Sequence, residues 1–310
     1  MEAISLIIFG VILIMVYFLW GRGSSTGNSG TKQAGQRLYP DLSKQKGCSI
    51  FRMYGEASHP DRIYDRFSTL DEVTDAIRKA GLESSSIIFG IDFTASNIHQ
   101  GLKTFGGRSL HHLDMLNPNP YEKVISILGE TLEPFDDDGL IPAFGFGDVS
   151  TKDRSVFPFL SEGFCQGFQS VLEAYRGVAS RVRLSGPTNF APLIYRAIDI
   201  VRETRSYHIL VIVADGQVTS EQATRAAIVE ASKWPLSIIL VGVGDGPWEQ
   251  MEEFDDSIPA RKFDNFQFVD FHRIMSVAKN PTAAFALSAL MEVPDQYKTI
   301  KSLGLLDFER

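Results

Sequence analysis

Ile87-Ile88-Phe89-Gly90-Ile91-Asp92-Phe93-Thr94-Ala95-Ser96 is the stretch on which the fold turns. A short apolar run, rich in β-branched residues, leads into Asp92 and a D-x-T-x-S segment. Such a run predicts a strand buried on both faces, as in a parallel sheet covered by helices. A second run, His208-Ile209-Leu210-Val211-Ile212-Val213, leads in the same way into Ala214-Asp215-Gly216. Between the two stands Gly186-Pro187-Thr188. In an open α/β sheet the loops at the carboxyl ends of the strands form the ligand crevice, which is where these fragments are expected to meet.

Asp92, Thr94, Ser96, Thr188 and Asp215 offer carboxylate and hydroxyl oxygens, with no Cys or His among them. That donor set suits a hard cation, Mg²⁺ first and then Mn²⁺ or Ca²⁺, and it does not suit zinc. Two carboxylates and neutral hydroxyls leave a divalent ion electrophilic enough to take an acidic group from a partner. D-x-T-x-S alone would be a weak signal, because Asp, Ser and Thr fill any turn after a strand. The order of the three fragments and their strand contexts supply the specificity.

Other motifs carry less. Gly242-Val243-Gly244-Asp245-Gly246 follows a strand, yet its third Gly is one position early for a dinucleotide fingerprint, so it reads as a turn. Asp136-Asp137-Asp138-Gly139 lacks the alternating ligands and distal Glu of an EF-hand loop. His111 and His112 are adjacent, so on a regular element they point apart, and no third ligand stands at useful spacing. Asp148 reads as a strand-end turn residue, with a place behind the metal ligands as the alternative. An aspartyl phosphatase would need an Asp where Thr94 stands, no G-x-S-x-G elbow follows a predicted strand, and no Walker lysine loop occurs. No catalytic residue is assigned.

Working outward, Ser68 is placed as the cap of a helix over Leu70–Ala80 with Gly81 as its stop. Helices are expected over Tyr121–Leu132, Phe164–Val178, Ala191–Arg202, Glu221–Lys233 and Thr282–Glu292, the last stopped by Pro294. A short helix is expected after Pro247. Strands are expected over Leu140–Phe146, Ser237–Val243 and Phe266–Val269 beside the two metal-loop strands. Alternating strand and helix predicts a doubly wound, mostly parallel α/β sheet with right-handed crossovers. The apolar content of 44% in 310 residues allows one domain of this size with short appendages.

Ala3–Trp20 is an uncharged, apolar stretch with Tyr17 and Trp20 at one end. As a helix it would measure ~27 Å, close to the hydrocarbon thickness of a bilayer. Glu2 is the only early charge and no A-x-A site follows, which argues against a cleaved signal peptide. Arg22, Lys32 and Arg37 all follow the stretch, placing the remainder in the cytosol by the positive-inside rule. The expected organisation is a single-pass transmembrane helix over 1–21, a flexible linker and lead-in over 22–58, an α/β domain over 59–300, and a tail over 301–310. A net charge of −8 with no basic stripe argues against nucleic-acid binding. Two widely separated cysteines make no disulfide framework.

These motifs resemble the metal-ion-dependent adhesion site of von Willebrand factor A domains. The wider wording is closer to the copines and to the plant RING-type ubiquitin ligases that carry a copine-like A domain. The stretches are Ile91–Asn97, Asn117–Tyr121, Phe144–Asp148, Gly186–Pro192, Ala214–Thr219, Gly242–Trp248, Phe254–Arg261 and Phe263–Val269. The resemblance spans roughly residues 60 to 300 and implies the adhesion-site residues Asp92, Thr94, Ser96, Thr188 and Asp215. A RING needs about eight Cys and His ligands for two zinc ions, whereas this sequence holds Cys48 and Cys165 only. Copines carry paired C2 domains, for which the first ~60 residues leave no room.

Two functional classes follow. One is a membrane-tethered, divalent-metal-dependent interaction module that takes a partner's acidic group and is linked by resemblance to ubiquitin signalling. The alternative is a ubiquitin ligase family member whose RING is truncated here or supplied in trans. The partners implied by resemblance are a ubiquitin-conjugating enzyme or a RING-bearing relative.

Overall fold

A computed structural model of the protein describes residues 47–307, apart from Ala57, Gln217 and Pro259. The expected transmembrane helix over 1–21 and the linker and lead-in as far as residue 46 lie outside the described residues. Among those described, no helix is long and apolar enough to cross a membrane.

The main sheet has the order β4-β3-β1-β6-β7-β8. Its parallel strands are β1 (Ser86–Asp92), β3 (Ala143–Phe146), β6 (His208–Ala214), β7 (Leu236–Gly242) and β8 (Phe266–Asp270). β4 (Phe157–Pro158) adds an antiparallel edge to β3, and β2 (Leu140–Ile141) pairs separately with β5 (Cys165–Gln166). The α-helices are α1 (Ser49–Tyr54), α2 (Leu70–Ala80), α3 (Pro120–Leu132), α4 (Gly167–Ala179), α5 (Ala191–Thr204), α6 (Glu221–Ala231), α7 (Glu249–Ser257), α8 (Phe271–Val277), α9 (Pro281–Leu290) and α10 (Val293–Ser302).

Alternation along the strands divides the core between two faces. Phe89, Ile91, Val211, Val213 and Val241 pack with Val73 and Ile77 of α2, Leu128 of α3, Tyr175 of α4 and Phe285 of α9. Ile88, Leu210, Ile212 and Leu240 face Leu193 of α5, Ile228 of α6 and Phe254 of α7. Covered on both sides, β6 and β7 are buried along their whole length, as their unbroken apolar runs require. Gly90 interrupts β1 because a Cβ there would collide with Leu193. The chain leaves β1 toward one face, through α3, and leaves β6 toward the other, through α6. The sheet's topological switch point therefore lies between the ends of β1 and β6, which carry Asp92 and Asp215.

Several local expectations need correction. Leu140–Phe146 is not one strand: Pro142 has no N–H for a ladder, so Leu140 and Ile141 join β5 while Ala143 onward joins β1. That pairing draws Cys165 and Gln166 out of the expected helix, and α4 starts at Gly167. Thr69, not Ser68, caps α2, its hydroxyl accepting from Glu72 N at 3.3 Å; Ser68 N donates to the Glu72 carboxylate at 2.6 Å. Pro294 does not end the chain's last helix but sits in the first turn of α10, where its missing N–H costs nothing, and that helix runs into the expected tail. The packed domain also begins before residue 59. In α1, Ile50 and Phe51 are buried, and Ser49 donates through its N–H and its hydroxyl to Asp295 at 2.6 and 2.5 Å.

Candidate metal centre

The end of β1 delivers Asp92 into the crevice fully buried. Thr94 N donates to Asp92 Oδ1 at 2.8 Å, folding the D-x-T turn back on its own carboxylate. The Thr94 and Ser96 hydroxyls lie 2.9 Å apart, and Ser96 Oγ donates to Asp215 Oδ1 at 3.0 Å. The loops after β1 and β6 are thus joined by side chains that sequence placed 119 residues apart. Thr188 is buried on the neighbouring loop, where its carbonyl accepts from Thr219 N at 3.0 Å and Thr219 Oγ1 at 2.9 Å. That loop meets the β1 loop through the Thr94–Ser185 bridge, with Ala95 N donating to Ser185 O at 2.6 Å. All five expected ligand residues therefore stand on three adjoining loops at one end of the sheet.

Two oxygens decide what the crevice is for. Asp92 Oδ2 and Asp215 Oδ2 are buried and have no hydrogen-bond partner, and among the described residues no Lys, Arg or His side chain pairs with either carboxylate. Burial pushes the Asp92 carboxyl above its ordinary range, against the Thr94 donors that favour its charged form. Asp215 is pushed up by burial and by the charge of Asp92 beside it. A buried carboxylate without a counter-charge is costly, and two of them facing one another more so. A divalent cation bound among these oxygens removes both costs, so the residues present fit such an ion. Among the described residues no cluster of three or more His, Cys, Asp or Glu side chains is suited to hold a metal; the donors here are two carboxylates completed by hydroxyls.

A buried polar network supports the β1 loop from below. His111 Nε2 lies 2.8 Å from the Asp92 carbonyl and Nδ1 lies 2.9 Å from Tyr175 Oη. Its ring is stacked between Phe93 and Tyr121, at centroid distances of 4.6 and 4.2 Å. Tyr121 Oη donates to Asn97 Oδ1 at 2.6 Å, and Asn97 Nδ2 donates back to the Thr94 carbonyl at 3.1 Å. Asn119 Oδ1 accepts from Glu122 N while the Glu122 carboxylate accepts from Asn119 N, a reciprocal cap that fixes the start of α3. Sequence reasoning passed over this layer. Asn119-Pro120-Tyr121-Glu122 does carry a cap, Pro and acid at capping-box spacing, so the start of α3 was findable. His111 was not, since nothing local ties it to Asp92.

His111 is held down at about 3 by burial and so stays neutral in the fold. The unfolded chain takes up that proton near pH 6.5, so this residue makes stability fall as pH drops from there toward 3. Relative to His111→Gln, the metal-free protein is expected to lose about 1.4 kcal/mol per pH unit between about pH 6 and pH 4. Urea unfolding of both proteins across that range checks this; parallel pH profiles would refute it.

Asp148 does not stand behind the metal ligands. It closes its own turn, accepting from the N–H and hydroxyl groups of both Ser150 and Thr151. The adjoining Gly147 is the residue that matters, because at φ +80 it passes beside Thr94 and a Cβ there would meet Thr94 Cγ2 at 2.5 Å. The turn after β7 is structural, as expected: Asp245 accepts from Lys103 N, Thr104 N and Thr104 Oγ1, fastening it to the β1 loop.

A copine family profile matches residues 109–309. Copine family protein 2 of Caenorhabditis elegans is 57% identical over 248 residues, covering 79% of this chain and 3% of that protein. E3 ubiquitin-protein ligase RGLG1 of Arabidopsis thaliana is 54% identical over 262 residues, covering 79% of this chain and 53% of the ligase. The chain thus spans about half the length, or far less, of these curated relatives. Among solved structures, von Willebrand factor type A from Catenulispora acidiphila aligns with a TM-score of 0.42 at 14% identity, covering 66% of this chain and 43% of that one.

Proposed function

The chain belongs to the copine family, and from that premise we propose that it is a divalent-metal-dependent protein-interaction module tethered to a membrane. The observation that carries the metal dependence is the pair of buried, unpartnered oxygens on Asp92 and Asp215. Asp92 and Asp215 would hold the ion, with the hydroxyls of Thr94, Ser96 and Thr188 completing the donor set. When bound, a Mg²⁺ or Mn²⁺ ion supplies a Lewis-acidic position for a carboxylate from a partner. The chain's own residues do the rest. The Ser96 and Thr94 hydroxyls orient the two carboxylates, and His111 and Asn97 fix the loop that carries Asp92. Ser96 Oγ donates to Asp215 Oδ1 at 3.0 Å, and both are read as donors to the ion, so binding is the role proposed for the crevice.

Titration calorimetry of the purified chain with Mg²⁺, Mn²⁺ and Ca²⁺ tests the reading. One site per chain is expected, with Mg²⁺ or Mn²⁺ preferred; a chain that binds none of the three would sink it.

Tethering rests on the apolar stretch Ala3–Trp20 with its basic residues on the far side, which supports a single-pass span and a cytosolic domain. Deleting residues 1–22 is expected to release the protein from carbonate-washed membranes. Recovery of the full-length protein in the soluble fraction, or protection of the domain inside sealed vesicles, would refute that topology.

A connection to ubiquitin signalling is supported by relatives named as E3 ubiquitin-protein ligases that share this region. The 310 residues hold Cys48 and Cys165 only, so the ligase function is proposed to come from a RING in a longer product or in a partner.

A further inference from the structure

The hydroxyls assigned to the ion are held with unequal firmness. Ser96 is exposed, and only its Oγ reaches across the crevice, to Asp215. Thr94 is buried, and its backbone is fastened on every side. Its N–H donates to Asp92 Oδ1 at 2.8 Å, and its carbonyl accepts from Asn97 Nδ2 at 3.1 Å. A bridge to Ser185 ties the same residue to the next loop. What this leaves open is rotation about χ1, which decides where the hydroxyl points. The methyl group settles it.

Gly147 supplies the recess for that methyl. It follows β3, whose last residue, Phe146, lies opposite Asp92 in the sheet. Its φ of +80 favours glycine. A Cβ at this position would stand 2.5 Å from Thr94 Cγ2, 3.3 Å from Thr94 N and 3.4 Å from Asp92 Oδ1. The recess cannot readily widen, because the chain is anchored on both sides of Gly147. Phe146 O accepts from Phe93 N at 2.8 Å, and Asp148 bridges to Leu184 while its carboxylate accepts from Ser150 and Thr151. A β-branched side chain on a fixed backbone has few χ1 choices, so seating Cγ2 in a matched recess also fixes Oγ1. Here Oγ1 lies 2.9 Å from Ser96 Oγ, on the crevice side.

We propose that the contact between the Thr94 methyl and Gly147 sets the ion selectivity of the crevice, favouring Mg²⁺ or Mn²⁺ over Ca²⁺. Discrimination between such ions comes from cavity size, ligand number and flexibility. Mg²⁺ demands near-octahedral contacts of about 2.1 Å, whereas Ca²⁺ accepts longer contacts in varied geometry. An oxygen that cannot swing away suits the small ion and gives the large one no advantage. Thr94→Ser would keep the oxygen and lose the group that orients it. Gly147 touches no ligand position itself; it is a positioning residue that acts through the Thr94 side chain. This role presupposes the metal reading of the crevice and adds a selectivity determinant to it.

Titration calorimetry of the full chain with Mn²⁺, Mg²⁺ and Ca²⁺ tests the assignment. Thr94→Ser is expected to bind Mn²⁺ and Mg²⁺ about tenfold more weakly, with Ca²⁺ affinity kept within about twofold. Gly147→Ala is expected to weaken Mn²⁺ at least about tenfold, because its Cβ drives the Thr94 methyl out of the recess. The double variant Gly147→Ala/Thr94→Ser is expected to recover Mn²⁺ affinity to the level of Thr94→Ser, since the added Cβ then fills the room the methyl left. A glycine needed only for its backbone angle would behave otherwise: strain at φ +80 is not relieved by a smaller side chain at position 94. Urea unfolding in EDTA confirms that each variant is folded at the titration temperature. If Gly147→Ala does not fold, Thr94→Ser decides by itself. Wild-type ion preference in Thr94→Ser, or a double variant that binds Mn²⁺ no better than Gly147→Ala, would overturn the proposal and leave the metal reading standing. So would a wild-type chain that binds Ca²⁺ as tightly as Mn²⁺. Failure of the wild-type chain to bind any of the three ions would remove both.

Discussion

Replacing Asp215 by asparagine is expected to abolish Mg²⁺ and Mn²⁺ binding and yet to stabilise the metal-free fold. The Asp215 carboxyl is raised by burial and by the neighbouring Asp92 charge. A carboxyl with a higher pKa in the folded state contributes stability that is fully present below its unfolded value near 4, and loses it as pH rises through the raised value. At neutral pH the metal-free protein therefore carries a cost that the Asp215→Asn variant lacks, and relief of roughly 1–3 kcal/mol is expected. Saturating metal offsets that difference: at a hundredfold excess over Kd the wild type gains about 2.7 kcal/mol and the variant gains nothing. Asp92→Ala should also lose the ion, with less relief, because Thr94 N gives up its acceptor at 2.8 Å. Urea unfolding in EDTA and in Mg²⁺, with calorimetry of both variants, reads these effects. Metal affinity unchanged in both would rule out the assigned ligands.

The purified chain is further expected to build no ubiquitin chains on its own when supplied with a panel of conjugating enzymes. A RING holds a loaded conjugating enzyme on a surface braced by two zinc ions. Cys48 and Cys165 are both buried here: Cys48 caps α1, accepting from Phe51 N at 3.3 Å, and Cys165 lies in β5. Burial pushes the Cys48 thiol up to about 11 and raises Cys165 as well, so neither is a thiolate at neutral pH. That removes thioester transfer as a second route, since the thiolate is the nucleophile. Addition of a RING-bearing protein that binds this domain should restore chain formation. Chains formed without any added ligase would overturn the interaction-module assignment.

The fold class, and the meeting of Asp92, Thr94, Ser96, Thr188 and Asp215 on adjoining loops, were legible in the sequence because both depend on local chemistry. A short apolar run, rich in β-branched residues and bounded by a turn, reads as a strand covered on both faces, and the runs ending at Asp92 and Asp215 are such runs. The carboxyl ends of parallel strands must lie at one edge, so residues at those ends become neighbours whatever their separation in sequence. Tertiary structure decided what local signals leave open. Pro142 splits a run that looked continuous, because only the partners of β2 and β3 determine where the missing N–H can be tolerated. Pro294 starts a helix instead of stopping one, which depends on where α10 can pack. The service of His111 to Asp92 is set by a loop that folds back across the sheet, and no spacing rule encodes that. The unpaired oxygens of Asp92 and Asp215 show the same division: the sequence determined that two carboxylates would meet, while burial alone decided that they would meet without a protein cation between them.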